Sequence, residues 1–237
     1  FGKSYLSAWL LLINAIQSQS KDVFYVAPTF QQGKDIMWSL LKELGKDLIA
    51  NAHENTATLT LINGRKIYIK GSDRPDTLRG NAAAFLVLDE YSSMKPVVWE
   101  QILRPVLADV KGSCLMISTP AGKNHFYDTY KDALEDDDWD AFQFNSTDNP
   151  FLPEDEVEAA RKNMSTMAFR QEFEASFETG SGGIFKEEWF KLEEEPEEGS
   201  YVIAIDPAGF EAIEQERNLK RSRLDETAIA IVKIDRD

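Results

Sequence analysis

Cysteine is nearly absent from this sequence: Cys114 stands alone among 237 residues, so no disulfide can close within the chain and no cysteine cluster can hold zinc. A lone thiol in a chain of this length points to a reducing compartment. Histidine is scarce too. His53 and His125 lie far apart with no partner at ligand spacing, which argues against a zinc site. No apolar run approaches the roughly 18 residues of a membrane span, and no charged segment followed by an apolar one resembles a signal peptide. The sequence therefore reads as soluble and intracellular, with no membrane partner. Positive charge is also short, with 26 Lys+Arg against 41 Asp+Glu and a net charge of −15. That balance argues against a nucleic-acid binder, which needs a basic surface. Much of the acid, however, sits in two runs, residues 135–140 and 187–198, which read as solvated faces away from any DNA track.

What is there fits a folded chain. Hydrophobic residues at 43% and charged residues at 28% are close to globular averages, which excludes disordered, collagen-like and coiled-coil readings. The length allows one large domain or one and a fraction. The chain opens on Phe1 inside a motif and closes on a strand-like run at Asp237, which predicts a fragment.

Residues 2–18 read as a loop feeding a helix, from the helical spacing of Leu6, Trp9, Leu10, Ile13 and Ile16. Val23 to Ala27 is a short strand stopped by Pro28, and Thr29 caps a second helix ended by Gly45. Thr58 to Ile62 and Lys66 to Lys70 flank Asn63-Gly64, a two-residue hairpin signal. Ala84 to Leu88 is an apolar strand ending in Asp89-Glu90, and Leu115 to Ser118 is another, ending in Thr119-Pro120. The alternation predicts an α/β fold with a mostly parallel sheet, helices on both faces, and ligands beyond the carboxyl ends of the strands. Residues 154–164 and 167–177 read as two helices, and residues 180–183 as a flexible joint. Tyr201 to Ile205 then forms a strand ending in Asp206-Pro207, with Thr227 to Ile234 as its neighbour. The predicted divisions are 1–147, 148–198 and 199–237.

Gly2-Lys3-Ser4 before an apolar helix is either an ordinary loop or the tail of a phosphate-binding loop, G-x-x-x-x-G-K-[ST]. In such a loop backbone N–H groups cradle phosphates, the lysine reaches the β/γ-phosphates and the serine holds magnesium. Four apolar residues and two acids, Phe85 to Glu90, strengthen the second reading. An Asp at the end of such a strand supports the magnesium shell, and a Glu after it is placed to orient or deprotonate water. The other reading of the pair is a solvated strand end. Ser118-Thr119 closes the next strand as a polar sensor of the γ-phosphate would, or simply as a strand terminator. Arg79 is an arginine finger, which stabilises charge on the transferring phosphate, or a surface arginine. The tryptophans Trp9, Trp38, Trp99 and Trp139 read as packing residues.

Taken in order along nearly the whole chain, these segments resemble a known family. Phe1-Gly2-Lys3-Ser4, Val26-Ala27-Pro28-Thr29, Leu78-Arg79-Gly80, Val87-Leu88-Asp89-Glu90-Tyr91, Ile117-Ser118-Thr119-Pro120-Ala121-Gly122, Asn149-Pro150-Phe151 and Phe169-Arg170-Gln171-Glu172-Phe173 are similar to the large subunit of a tailed-bacteriophage terminase, the motor that packages viral DNA.

The resemblance implies a P-loop ATPase domain, truncated at its N-terminus, then a helical lid or linker and the start of a ribonuclease H-like nuclease. It implies ATP and Mg2+ at Gly2, Lys3, Ser4 and Asp89, a catalytic carboxylate at Glu90, a coupling motif at Ser118 and Thr119, and Arg79 offered to a neighbouring subunit's ATP. It makes Asp206 a metal-binding acid for Mg2+ or Mn2+ in the nuclease, with Asp225 either an accessory acid or structural. Arg217, Lys220, Arg221 and Arg223 form a basic patch that meets DNA or is a plain loop. The implied partners are double-stranded DNA, the portal protein and procapsid, the small terminase subunit and further copies in a ring. The implied location is the host cytoplasm rather than the mature virion. The rival readings are a helicase-like P-loop ATPase without a nuclease, which the Asp206 strand disfavours, and a non-catalytic nucleotide-dependent scaffold, which the Asp89-Glu90 pair disfavours.

Overall fold

Val23 to Ala27 are five consecutive residues with at most 1% exposure, a continuous apolar run of the kind found where a strand is covered on both faces. In the computed structural model, which describes residues 2–79, 82–177, 200–206 and 228–234, this run is strand β1 (Asp22–Ala27) at the heart of a sheet. The chain divides into two units, Phe1–Gly182 and Gly183–Asp237.

In the first unit the elements follow in order: α1 (Lys3–Gln17), β1, α2 (Phe30–Leu44), β2 (Ile49–His53), β3 (Thr58–Leu61), β4 (Lys66–Gly71), β5 (Ala83–Asp89) and β6 (Ser113–Ile117). The spatial order of the strands is β2-β3-β4-β1-β5-β6. Strands β4, β1, β5 and β6 are parallel as expected, while β2, β3 and β4 form an antiparallel meander at one edge. Strand β2 is absent from the sequence reading because its residues after Ile49 are exposed and carry no apolar alternation.

Alternate residues of β1 point to opposite faces. Val23, Tyr25 and Ala27 pack with Leu11 and Leu12 of α1 and Met37 and Leu41 of α2. Phe24 and Val26 pack on the other face with Leu78, Tyr91, Ile102 and Leu103. That second face is covered by a π-helical stretch, Val98–Leu103, running into the short helix α3 (Arg104–Ala108). Pro105 removes an i to i−4 hydrogen bond there, and a widened turn before a proline relieves the ring's clash with the preceding carbonyl.

Thr29 caps α2 as expected, its hydroxyl accepting from Gln32 N at 3.2 Å. Gly45 caps the end of α2, its N–H donating to Leu41 O at 2.9 Å, and a Cβ there would crowd that carbonyl oxygen at 2.9 Å. The Asn63-Gly64 hairpin forms, but not as a two-residue turn of the primed type. Gly64 alone has a positive φ, 79°, and the loop closes through Leu61 N to Arg65 O at 2.8 Å. Asn63 serves both the turn and the helix: its Oδ1 accepts from Arg65 N at 3.0 Å, and its amide donates to the carbonyls of Ala15 (2.9 Å) and Ile16 (3.1 Å) at the end of α1.

After β6 come α4 (His125–Glu135), α5 (Glu154–Asn163) and α6 (Thr166–Phe173). Asn124 caps α4 by accepting from Phe126 N at 3.0 Å. Helix α6 stops short of the expected residue 177, because Ala175 turns to φ 50° and Ser176 N bonds back to Arg170 O at 3.0 Å. Phe177 then packs against Phe126, Tyr127 and Tyr130 of α4. The acids at 135–138 are solvated. Trp38 is buried and Trp99 meets Trp139 edge to face, but Trp9, expected to pack, is 46% exposed on the side of α1 turned from the sheet.

In the second unit, β7 (Ser200–Asp206) pairs antiparallel with β8 (Ala228–Ile234), Asp206 standing opposite Ala228. Asp225 and the basic run Arg217, Lys220, Arg221 and Arg223 lie outside the described residues. No helix among the described residues is long and apolar enough to cross a membrane.

Candidate active site

Because β1, β5 and β6 are parallel, their carboxyl ends bring Pro28-Thr29, Asp89-Glu90 and Ser118-Thr119 to one edge of the sheet. Helix α1 joins β1 through residues 18–21 and packs on β1 and β5. It therefore runs back along the sheet, and its N-terminus lies toward the same edge. Gly2 precedes it at φ 71°, in the left-handed region, with no side-chain cap and no acid in the first turn. The first N–H groups of an uncapped helix and its positive dipole end favour an anion. Lys3 is exposed and Ser4 half-buried beside them.

Asp89 is 6% exposed, one of three buried polar or charged residues among those described. Its Oδ2 accepts a hydrogen bond from the Tyr25 hydroxyl and its Oδ1 accepts from Glu90 N at 3.0 Å. Burial first, and then the charges of Asp89 and Glu90, push the Tyr25 phenol well above its ordinary range, so it remains a donor at any working pH. Burial likewise pushes the Cys114 thiol on β6 up to about 12, which keeps it neutral and unreactive.

Glu90 adopts φ 53° and ψ 46°. For a residue with a Cβ this left-handed geometry costs about 1–3 kcal/mol, and such outliers cluster at functional sites. The turn that follows anchors it through Ser93 N to Glu90 O at 3.0 Å and the buried Tyr91 ring. Its carboxylate meets the end of β6, where Ser118 Oγ donates to Glu90 Oε2 at 3.3 Å. Ser92 completes a small network, with Oγ 2.6 Å from Ser118 Oγ and 3.0 Å from the Thr119 carbonyl. Two hydroxyl protons thus serve three acceptors, so a rotation of either hydroxyl changes which of Glu90 and Thr119 is satisfied. Asn124 Nδ2 donates to Ser92 O at 3.1 Å and His125 Nε2 to Tyr91 O at 3.0 Å, tying the N-terminus of α4 to the turn.

The structure thus brings Glu90 and Ser118 into contact and places Thr119 in the same network. Arg79 stays apart. It follows a 3-10 turn on the crossover between β4 and β5, its side chain is 55% exposed, and it pairs only with Asp76, at 3.6 Å, among the described residues. Tyr25, Ser92, Asn124 and His125 were missed by sequence reasoning. Only Asn124 carries a local signal, a capping asparagine before a helix; the others are joined to the site across strands.

No three His, Cys, Asp or Glu side chains gather for a metal among the described residues. A nucleotide-bound Mg2+ needs no such cluster, since it keeps several waters and takes one or two protein oxygens besides phosphate. The Ser4 hydroxyl and Asp89 carboxylate are hard oxygen donors of that kind, beside a helix end suited to phosphate, so the residues present fit both groups.

The family model described as "Terminase large subunit, T4likevirus-type, N-terminal" matches residues 1–192. The terminase large subunit of Escherichia phage T5 is 30% identical over 191 residues, covering 78% of this chain and 43% of that protein. That of Thermus phage G20c is 30% identical over 131 residues, 49% of this chain and 27% of that one. The chain spans less than half the length of these curated relatives. Among solved structures, the large terminase ATPase domain of Thermus phage P74-26 superimposes with a TM-score of 0.64 at 23% identity, over 74% of this chain and 84% of that one. The large terminase of a thermophilic bacteriophage in complex with ATP-gamma-S gives 0.63 at 16% identity, over 87% and 53%. At such identities the structures speak for the fold, and the family match over 192 residues speaks for descent: the chain belongs to the terminase large subunits and carries their N-terminal region.

Proposed function

We propose that this chain is the ATPase part of a motor that drives double-stranded viral DNA into a procapsid in the host cytoplasm, and that the full-length protein also cuts the DNA. The observation that carries the reading is the hydrogen bond from Ser118 to Glu90, which joins the end of β6 to a carboxylate held in strained geometry at the end of β5. In this reading Lys3 and the N–H groups of α1 bind the phosphates of ATP, and Ser4 and Asp89 hold Mg2+. Bound Mg2+ supplies neutralisation of the phosphate charge. Glu90 accepts a proton from the attacking water, and the network through Ser118 and Ser92 transmits the change at Glu90 to α4. Arg79, solvated and apart from its own site, acts on the ATP of a neighbouring copy in a ring. Portal and small terminase subunit are the further protein partners. The nuclease reading rests on the family and on Asp206 at the end of β7, where it serves as a carboxylate for Mg2+ or Mn2+ with Asp225 as an accessory acid.

In the full-length protein, Glu90→Gln is expected to retain nucleotide binding and lose turnover by roughly 10²-fold or more, the scale of a lost positioned base. Lys3→Ala is expected to weaken binding as well. Hydrolysis by Glu90→Gln at the parental rate, in a steady-state phosphate-release assay, would remove the catalytic role and favour the scaffold reading.

A further inference from the structure

Tyr25 is the one side chain of β1 that brings a hydroxyl into the face shared with α1 and α2. Its neighbours on that face, Val23 and Ala27, are apolar, and the ring is fully buried. Phenylalanine would fill the same space, so packing does not account for the oxygen. Its direction does. Tyr25 stands opposite Val87 in the parallel register of β1 and β5, two residues short of Asp89. At about 3.3 Å per residue the gap along the strand is about 6.6 Å, the reach of a phenol leaning along it. The hydroxyl ends on Asp89 Oδ2, while Glu90 N holds Oδ1.

Each carboxylate oxygen is therefore held by one donor, from two different strands' worth of chain, and the group cannot turn without breaking one of the bonds. A carboxylate has about four acceptor positions, so two remain after these bonds are made. Ligands oriented in this way by outer hydrogen bonds bind metal more tightly, because the orientation is set before the ion arrives.

We infer that Tyr25 is a positioning residue for Asp89, holding that carboxylate ready for the Mg2+ of bound nucleotide. The inference rests on the ATPase reading above, and its test separates the two. Full-length parental protein, Tyr25→Phe, Asp89→Asn and the double variant are compared by three measurements. These are Mn2+ affinity of the nucleotide complex by electron paramagnetic resonance, affinity for a fluorescent ATP analogue with and without Mg2+, and ATPase rate across a Mg2+ titration.

Tyr25→Phe should raise the Mn2+ dissociation constant and the Mg2+ midpoint about tenfold or more, the scale of lost outer hydrogen bonds at metal ligands. Metal-free nucleotide affinity should stay unchanged, and kcat should recover at saturating Mg2+. In the Asp89→Asn background, Tyr25→Phe should add no further loss of metal affinity. A lower urea midpoint for Tyr25→Phe with unchanged metal affinity would make Tyr25 a core residue only and overturn the inference while leaving the ATPase reading intact. Parental protein whose nucleotide binding is indifferent to Mg2+ would overturn both.

Discussion

At the carboxyl end of β5, Asp89 is 6% exposed and each of its oxygens accepts a hydrogen bond. On the crossover leading into the same strand, the Arg79 side chain is 55% exposed and its pairing with Asp76 spans 3.6 Å. The carboxylates at one end are held by donors from β1, from the residue after β6 and from the turn after β5. The arginine at the other end has nothing of the kind, since an exposed pair within one turn gains little and is screened by salt. A pre-formed cluster can work alone, whereas a solvated cation needs a partner to order it. The contrast separates side chains fixed by neighbouring strands from one held only within its own turn.

The largest effect is expected where the comparison is most exposed to failure. Arg79→Ala in the full-length protein should lower kcat by about 10³-fold, the low end of the range for an arginine finger. Mixing Arg79→Ala with Lys3→Ala chains should then restore activity at mixed interfaces, where an intact arginine meets an intact lysine. If co-assembled mixtures show no more than the sum of the two variants, Arg79 does not act between copies and the contrast with the carboxylate end is lost.

A smaller effect sharpens the other side. Ser92→Ala removes the hydroxyl that holds Ser118 beside Glu90, and kcat should fall by up to about tenfold, the equivalent of one ordinary hydrogen bond. Nucleotide affinity should be unaltered, and stopped-flow binding beside steady-state turnover distinguishes the two. An unchanged kcat would show that Ser118 needs no support from the turn after β5.

The smallest effect belongs to Asp76. Asp76→Ala should leave the urea midpoint unchanged within error, because an exposed ion pair of this geometry adds nothing measurable. A clear loss of stability would show that the crossover is held as firmly as the carboxylates.

The parts of the site that lie next to one another in sequence were legible there. Asp89 and Glu90 close an apolar strand, Gly2-Lys3-Ser4 opens a helix, and Ser118-Thr119 closes the next strand; each pattern is local and carries its chemistry in residue order. Strands β1 and β5 were likewise readable, because a strand buried on both faces leaves an unbroken apolar run, and the half-buried edge strand β6 was readable from its apolar run Leu115 to Ile117. The residues that hold these groups in place were not legible. Tyr25 reaches Asp89 only through the register of two parallel strands, and Ser92 meets Ser118 only because the turn after β5 folds over the end of β6.

Asn63 shows the same limit from the other direction. Beside Gly64 its sequence signal was for a two-residue turn; its Oδ1 stays in the turn, accepting from Arg65 N, while its amide satisfies two carbonyls at the end of α1, contacts that no local pattern announces. Residue order alone determined which candidate groups close which strands, since strand periodicity and terminal motifs are properties of neighbouring residues. Only the tertiary structure decided how those groups are oriented and that Arg79 stands apart from them. Hydrogen bonds between strands depend on register and on side-chain reach, and neither is written in any single segment of the chain.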